Sequence, residues 1–201
     1  FKQKTAYEML RSLAGSEMCI RDRLKDGDTL DAVLARITGY ADYASGVADV
    51  DFVIESVAEN LDIKKSVWVE VEHAAPKDAI LSTNTSGLSP TALQSVMGHP
   101  ERFVVAHFWN PAQLMPLVEV VPGEKTDPKV VDITFDLMAK IGKKPAKIKK
   151  ESLGFVGNRL QLAVLREAVH IVQQGRDALD HILPVSYTHL RAHETPEPSR
   201  M

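Results

Sequence analysis

The sequence predicts an α/β fold whose sheet is built from parallel crossovers. Short apolar runs of strand length, DFVIESV (51–57), AILST (79–83) and FVVAHF (103–108), recur along the chain. Between them lie stretches with helical spacing of apolar residues, such as IKKSVWVEVEHAA (63–75). The two kinds of segment alternate. At 201 residues and 44% hydrophobic side chains, the chain can bury the core that such a sheet requires.

From Leu24 onward the pattern is regular. LDAVLARI (30–37) has helical spacing. DFVIESV reads as a buried strand between Asp49-Val50-Asp51 and Glu59-Asn60. In the next segment Val67, Val71 and Ala74 recur at helical spacing, and Pro76 stops the helix. AILST is the second strand. Ser89 caps a further helix with Pro90 at its first position. FVVAHF and LVEVV (117–121) are strands. DPKVVDITFDLMAKIG (127–142) is an amphipathic helix capped by Asp127 and stopped at Gly142. PAKIK (145–149) is a short strand. GNRLQLAVLREAVHIVQQG (157–175) is a long helix with Leu160, Val164, Ala168 and Ile171 on one face. Periodicity fades after residue 184.

Composition narrows the function. The net charge of −3 supplies no basic field for nucleic acid. No apolar run approaches the roughly 20 residues that span a bilayer, and the start does not read as a secretion signal. The single cysteine, Cys19, excludes an internal disulfide and a cysteine-based zinc site. A reducing, cytoplasmic setting is therefore expected, with no nucleic acid, membrane or cysteine-held metal.

The stretch VVAHFWNPAQLMPLVEVV (104–121) concentrates the polar chemistry. Asn110-Pro111 ends one strand and Pro116 precedes the next. A reversal near Gln113 pairs residues whose numbers sum to about 226, which sets His107 beside Glu119 on one sheet face. A carboxylate there fixes the imidazole tautomer and stabilises the protonated ring, as a general base requires. The same spacing also suits a purely structural pair. Ser82, Thr83, Asn84, Thr85 and Ser86 follow a strand, where open α/β sheets bind ligands. Asn158 stands at the start of the long helix, and Glu59 at the start of another, where a carboxylate is favoured.

Together DFVIESVAEN (51–60), STNTS (82–86), AHFWNP (106–111) followed by LVEVV, and GFVGNRL (154–160) resemble the 3-hydroxyacyl-CoA dehydrogenase family in order and separation. The resemblance spans about residues 24–183. It implies a doubly wound, Rossmann-like sheet followed by the first helix of an all-α domain. It also implies oxidation of a 3-hydroxyacyl-CoA, short chains favoured, with NAD as hydride acceptor, in a homodimeric parent enzyme. His107 resembles the base and Glu119 its orienting carboxylate. Ser86 and Asn158 resemble the groups that hold substrate. Glu59 and Asn110 resemble residues near the nicotinamide end of the cofactor. The carnitine and sugar-acid (gulonate-type) branches, and a non-catalytic structural relative, are the alternatives. The basic stretch KIGKKPAKIKK (140–150) is either a solvated rim or a contact for CoA phosphates.

The chain also departs from the family. The family's glycine-rich turn cradles the cofactor pyrophosphate, yet none of the eleven glycines here forms Gly-x-Gly. The sheet is therefore expected to be incomplete and the isolated chain inactive. SLAGSEMCIRDR (12–23) and VSYTHLRAHETPE (185–197) resemble translated sequencing-adapter sequence. The expected organisation is a non-native extension over 1–23, the later part of the dinucleotide-binding domain over 24–151, the start of a helical domain over 152–183, and a second extension over 184–201. His189 and His193 have the spacing of a helical metal pair but lack a third ligand, and they fall in that second extension.

Overall fold

The computed structural model describes residues 27–176. The expectations for 1–23 and 184–201, with Cys19 and the His189–His193 pair, lie outside the described residues. Among the described residues no helix is long and apolar enough to cross a membrane.

Five strands form one sheet in sequential order: β1 (Phe52–Glu55), β2 (Ile80–Thr83), β3 (Phe103–Phe108), β4 (Leu117–Pro122) and β5 (Lys144–Lys147). β1, β2 and β3 are mutually parallel, so their carboxyl ends lie along one edge. β4 returns antiparallel to β3, and β5 runs parallel to β4. The architecture is the Rossmann-like α/β sheet that the sequence predicts.

Five of the six α-helices described begin where the sequence supplies a side-chain cap. Thr29 caps α1 (Leu30–Leu34) and Asp42 caps α2 (Tyr43–Val47). Asn60 caps α3 (Leu61–Ala74) through the amides of Asp62 and Ile63. Ser89 caps α4 (Pro90–Gln94) and Asp127 caps α5 (Pro128–Lys140). Gly142 follows α5 at φ +87°, a left-handed conformation that glycine adopts without strain. The last helix, α6, spans Gly157–Gln173.

Several element ends differ from expectation by a residue or two, and three further differences are larger. α1 ends at Leu34 rather than Ile37, because no residue of it is buried to hold a longer helix. α2 was not anticipated; one turn is too short for periodicity to announce. Glu59 does not start a helix: α3 begins at Leu61 behind the Asn60 cap, and Glu59 lies before both.

The two faces of the sheet follow from alternation along the strands. One face carries Leu81 and Phe103, which pack with Val67, Trp68 and Val71 of α3 and Leu93 of α4. The opposite face carries Ile80, Val104, Ala106, Val118 and Val120 against Val130, Val131 and Met138 of α5. Helices thus cover both faces. His107 is in phase with Phe103 and Val105, and Glu119 with Val121. The period therefore commits both polar residues to the α3–α4 face.

Candidate active site

The β3–β4 register pairs His107 with Glu119 directly. Imidazole Nδ1 lies 3.0 Å from Glu119 Oε2, and both side chains are buried. Glu119 accepts three more hydrogen bonds. Trp109 Nε1 donates to Oε2 at 3.2 Å. The amides of Val156 and Gly157, at the start of α6, donate to Oε1 at 3.1 and 3.0 Å. Burial pushes the Glu119 pKa up, but hydrogen bonds from His107, Gly157, Trp109 and Val156 outweigh it and hold the group below the ordinary 4.5. An ionised carboxylate only accepts, so His107 Nδ1 carries the proton. In the neutral ring Nε2 is then the acceptor, and no partner for it is seen among the described residues.

A second carboxylate organises the loop after β2. Glu59 Oε1 accepts from the Thr85 hydroxyl at 2.6 Å, the Ser86 amide at 2.9 Å, the Ser86 hydroxyl at 3.2 Å and the Gly87 amide at 3.3 Å. Here too burial pushes the pKa up. The bonds from Thr85 and Ser86, with the Lys64 charge, pull it down further. Glu59 is thus held by this loop rather than by a helix dipole. Its Oε2 lies 3.6 Å from Lys64 Nζ on a partly exposed side chain.

Ser86 and Asn158 meet directly: Asn158 Nδ2 donates to the Ser86 carbonyl at 2.8 Å. They line an open cleft of about 400 Å³ with Gly87, Gly154, Gln161 and Leu162. Asn158 follows Gly157 in α6, so the cleft residue and the Glu119 contact share one helical turn. Asn84 ties the loop to β3 by accepting from the Phe108 amide at 2.8 Å. Asn110 is exposed beyond the end of β3 and stays outside this network.

Lys64 and Glu55 escape a reading of apolar residues alone. Lys64 Nζ is buried 2.7 Å from Glu55 Oε1 and 3.2 Å from the Val57 carbonyl. Thr83 donates to the other Glu55 oxygen at 2.6 Å. A signal did exist: Lys64 occupies the stripe of Val67, Trp68 and Val71 at i, i+3, i+4 and i+7. A lysine on the apolar face of a helix requires a buried partner.

The two depressed carboxylates predict an acid response. Their folded pKa values lie below the ordinary glutamate value. The stability they supply is therefore complete above about pH 5–6 and lost as pH falls through their folded values. The urea midpoint of the chain is expected to decline below the ordinary 4.5. Glu119→Gln should flatten part of that decline; an unchanged slope would contradict it.

An open, mostly parallel sheet with polar loops at its carboxyl edge is the architecture of a nucleotide-binding domain. The chain belongs to the 3-hydroxyacyl-CoA dehydrogenase family: the model of that family's NAD binding domain matches residues 2–152. The match begins inside the segment 1–23 set apart above. The family consists of NAD-dependent oxidoreductases. Over 133 residues the chain is 47% identical to an L-carnitine dehydrogenase of Mesorhizobium japonicum, covering 66% of this chain and 36% of that protein. It is 42% identical to a 5-formyl-3-hydroxy-2-methylpyridine 4-carboxylate 5-dehydrogenase of the same organism, covering 67% and 43%. Among solved structures, the (S)-3-hydroxybutyryl-CoA dehydrogenase PaaH1 from Ralstonia eutropha superposes with a TM-score of 0.78 at 30% identity, covering 88% of this chain and 62% of that one. The chain thus spans less than half the length of these two curated relatives.

Proposed function

We propose that this chain supplies the base-bearing part of an NAD-dependent dehydrogenase acting on a small 3-hydroxy acid of the carnitine type. The observation that carries the reading is the His107–Glu119 pair, held at the start of α6 beside the Ser86–Asn158 cleft. Similarity to an L-carnitine dehydrogenase favours this substrate class over the acyl-CoA thioester that the motifs alone suggest. Lys143 donates to the Ala112 and Met115 carbonyls, and Lys147 pairs with Asp132. Two lysines of the basic stretch are thus engaged within the fold, which favours a solvated rim over a CoA phosphate contact. The structural similarity to a 3-hydroxybutyryl-CoA dehydrogenase keeps the acyl-CoA reading as the second candidate. In this proposal residues 24–151 are the later part of the nucleotide domain and 152–183 begin the helical one. The whole enzyme is a cytoplasmic homodimer.

In this reading His107 Nε2 takes the proton from the substrate hydroxyl, while Glu119 fixes the ring and balances the charge it gains. The Ser86 hydroxyl and the Asn158 amide orient the substrate. NAD, when bound, accepts the hydride. The residues fit one end of that cofactor: Glu59 offers an ionised, partly exposed oxygen that would suit a ribose hydroxyl, and the exposed Asn110 amide would serve the nicotinamide end. They do not fit the pyrophosphate. Gly154-x-x-Gly157 opens a helix, but the Val156 and Gly157 amides are already bonded to Glu119. The purified chain should therefore bind NADH roughly a thousandfold more weakly than a complete family member. A fluorescence titration with micromolar affinity would contradict this.

Substrate class is tested in a chimaera in which residues 24–183 replace the matching segment of the L-carnitine dehydrogenase. Reduction of NAD with L-carnitine is the expected result. Faster turnover of 3-hydroxybutyryl-CoA would select the second candidate.

A further inference from the structure

We propose that Trp109 is a positioning residue: its indole N–H holds part of the Glu119 charge that would otherwise act on His107. The inference rests on the reading of His107 as the base, and it deepens that reading. Trp109 lies just past β3, and its Nε1 donates to Glu119 Oε2 at 3.2 Å, the same oxygen that takes His107 Nδ1 at 3.0 Å. The indole lies 5.7 Å from the imidazole, centroid to centroid, tilted by 48°. Its outer edge occupies the space that a side chain at Gly157 would fill, with Cζ2 and Cη2 nearest. Trp109 is therefore wedged between the histidine and the first residue of α6, and bonded to the carboxylate that joins them.

Charge sharing follows from this geometry. Oε2 serves two donors, one on a titratable ring and one on a permanently neutral indole. Negative charge engaged by the neutral donor is less available to balance a proton arriving on His107. The other oxygen is engaged by the Val156 and Gly157 amides. Across β5 the residue opposite Glu119 is Ala146, which carries no charge. Among the described residues His107 is the one titratable side chain paired with Glu119. The indole is thus the remaining side-chain control on that carboxylate. A residue acting by packing alone would have no need of its N–H.

The test removes the N–H and keeps the shape. Growth with β-(3-benzothienyl)alanine replaces both tryptophans of the full chain with an isostere in which sulfur stands for N–H. The second tryptophan, Trp68, has a buried Nε1 with no hydrogen-bond partner, so its replacement breaks no bond. Carboxyl ¹³C NMR then follows the Glu119 titration, its signal identified by its loss in Glu119→Gln. The midpoint should rise by about half a pH unit toward the ordinary glutamate value. Trp109→Phe, checked for folding by circular dichroism, should move it the same way. A folded isostere with an unmoved midpoint overturns the proposal and leaves packing as the role of Trp109. This readout needs no turnover. An inactive chimaera would therefore count against the proposed function alone, and an unmoved midpoint against the role of Trp109 alone.

Discussion

In the chimaera, His107→Ala is expected to lower kcat by about 10²–10⁴ while NADH affinity stays nearly unchanged. The selectivity of the loss follows from where the imidazole sits. It is buried between Trp109 and Phe155, with ring centroids at 5.7 and 5.8 Å. The polar groups assigned to the cofactor, on Glu59 and Asn110, make no contact with it. Removing the ring should thus delete the proposed proton acceptor and spare the groups proposed for the cofactor. A variant that kept full kcat would show that the base lies elsewhere. A variant that lost kcat and NADH binding together would show collapse of the site rather than loss of one group.

Lys64→Met is expected to destabilise the chain by about 3–5 kcal/mol, read as a drop in the urea midpoint at neutral pH. The lysine is buried and within reach of Glu55, the Val57 carbonyl and Glu59. Methionine fills a similar volume but leaves the Glu55 carboxylate in the core with only Thr83 and the Val57 amide as donors. An unpaired buried charge is far more costly than the pair it replaces. Adding Glu55→Gln should therefore recover most of the loss, because the neutral side chain keeps an oxygen for the Val57 amide and turns its NH2 to the Thr83 hydroxyl, which can accept. If the double variant were as weak as the single one, packing rather than charge would account for the effect. The loop that Glu59 gathers should loosen in step, since Lys64 faces that carboxylate as well.

Much of this arrangement is legible in the sequence, for reasons that differ between residues. The strand–helix alternation exposes the sheet because apolar periodicity is a local property. The pairing of His107 with Glu119 is legible because a hairpin is local too: two prolines bound the turn, and the period of two then fixes the face. The Glu55–Lys64 pair is half legible. Lys64 on an apolar stripe announces a buried charge, but not the strand that supplies its partner. Glu59 is legible as a residue and not as a hub, since its donors come from a loop more than two dozen residues away. The indole of Trp109 lying against Gly157 follows no local pattern. It exists only once α6 is placed on the sheet, and only there does the choice of glycine acquire a reason.

The anchoring of α6 belongs to the same class. Phe155, just before the helix, has φ +45°, a left-handed conformation uncommon for a residue with a side chain. Its buried ring packs with Val105 and Val121, which offsets the backbone cost. That packing presents the next two amides to Glu119. A strained turn, a helix start and the histidine are thereby joined through one carboxylate, which no single motif reveals.

The most direct test of the account is the tautomer of His107 in the isolated chain, read by long-range ¹H–¹⁵N correlation above the acid range. The neutral form of the ring is expected to be protonated at Nδ1 and bare at Nε2, because an ionised Glu119 can only accept. A neutral ring protonated at Nε2 would contradict the account, since the nitrogen needed to receive a substrate proton would already be occupied.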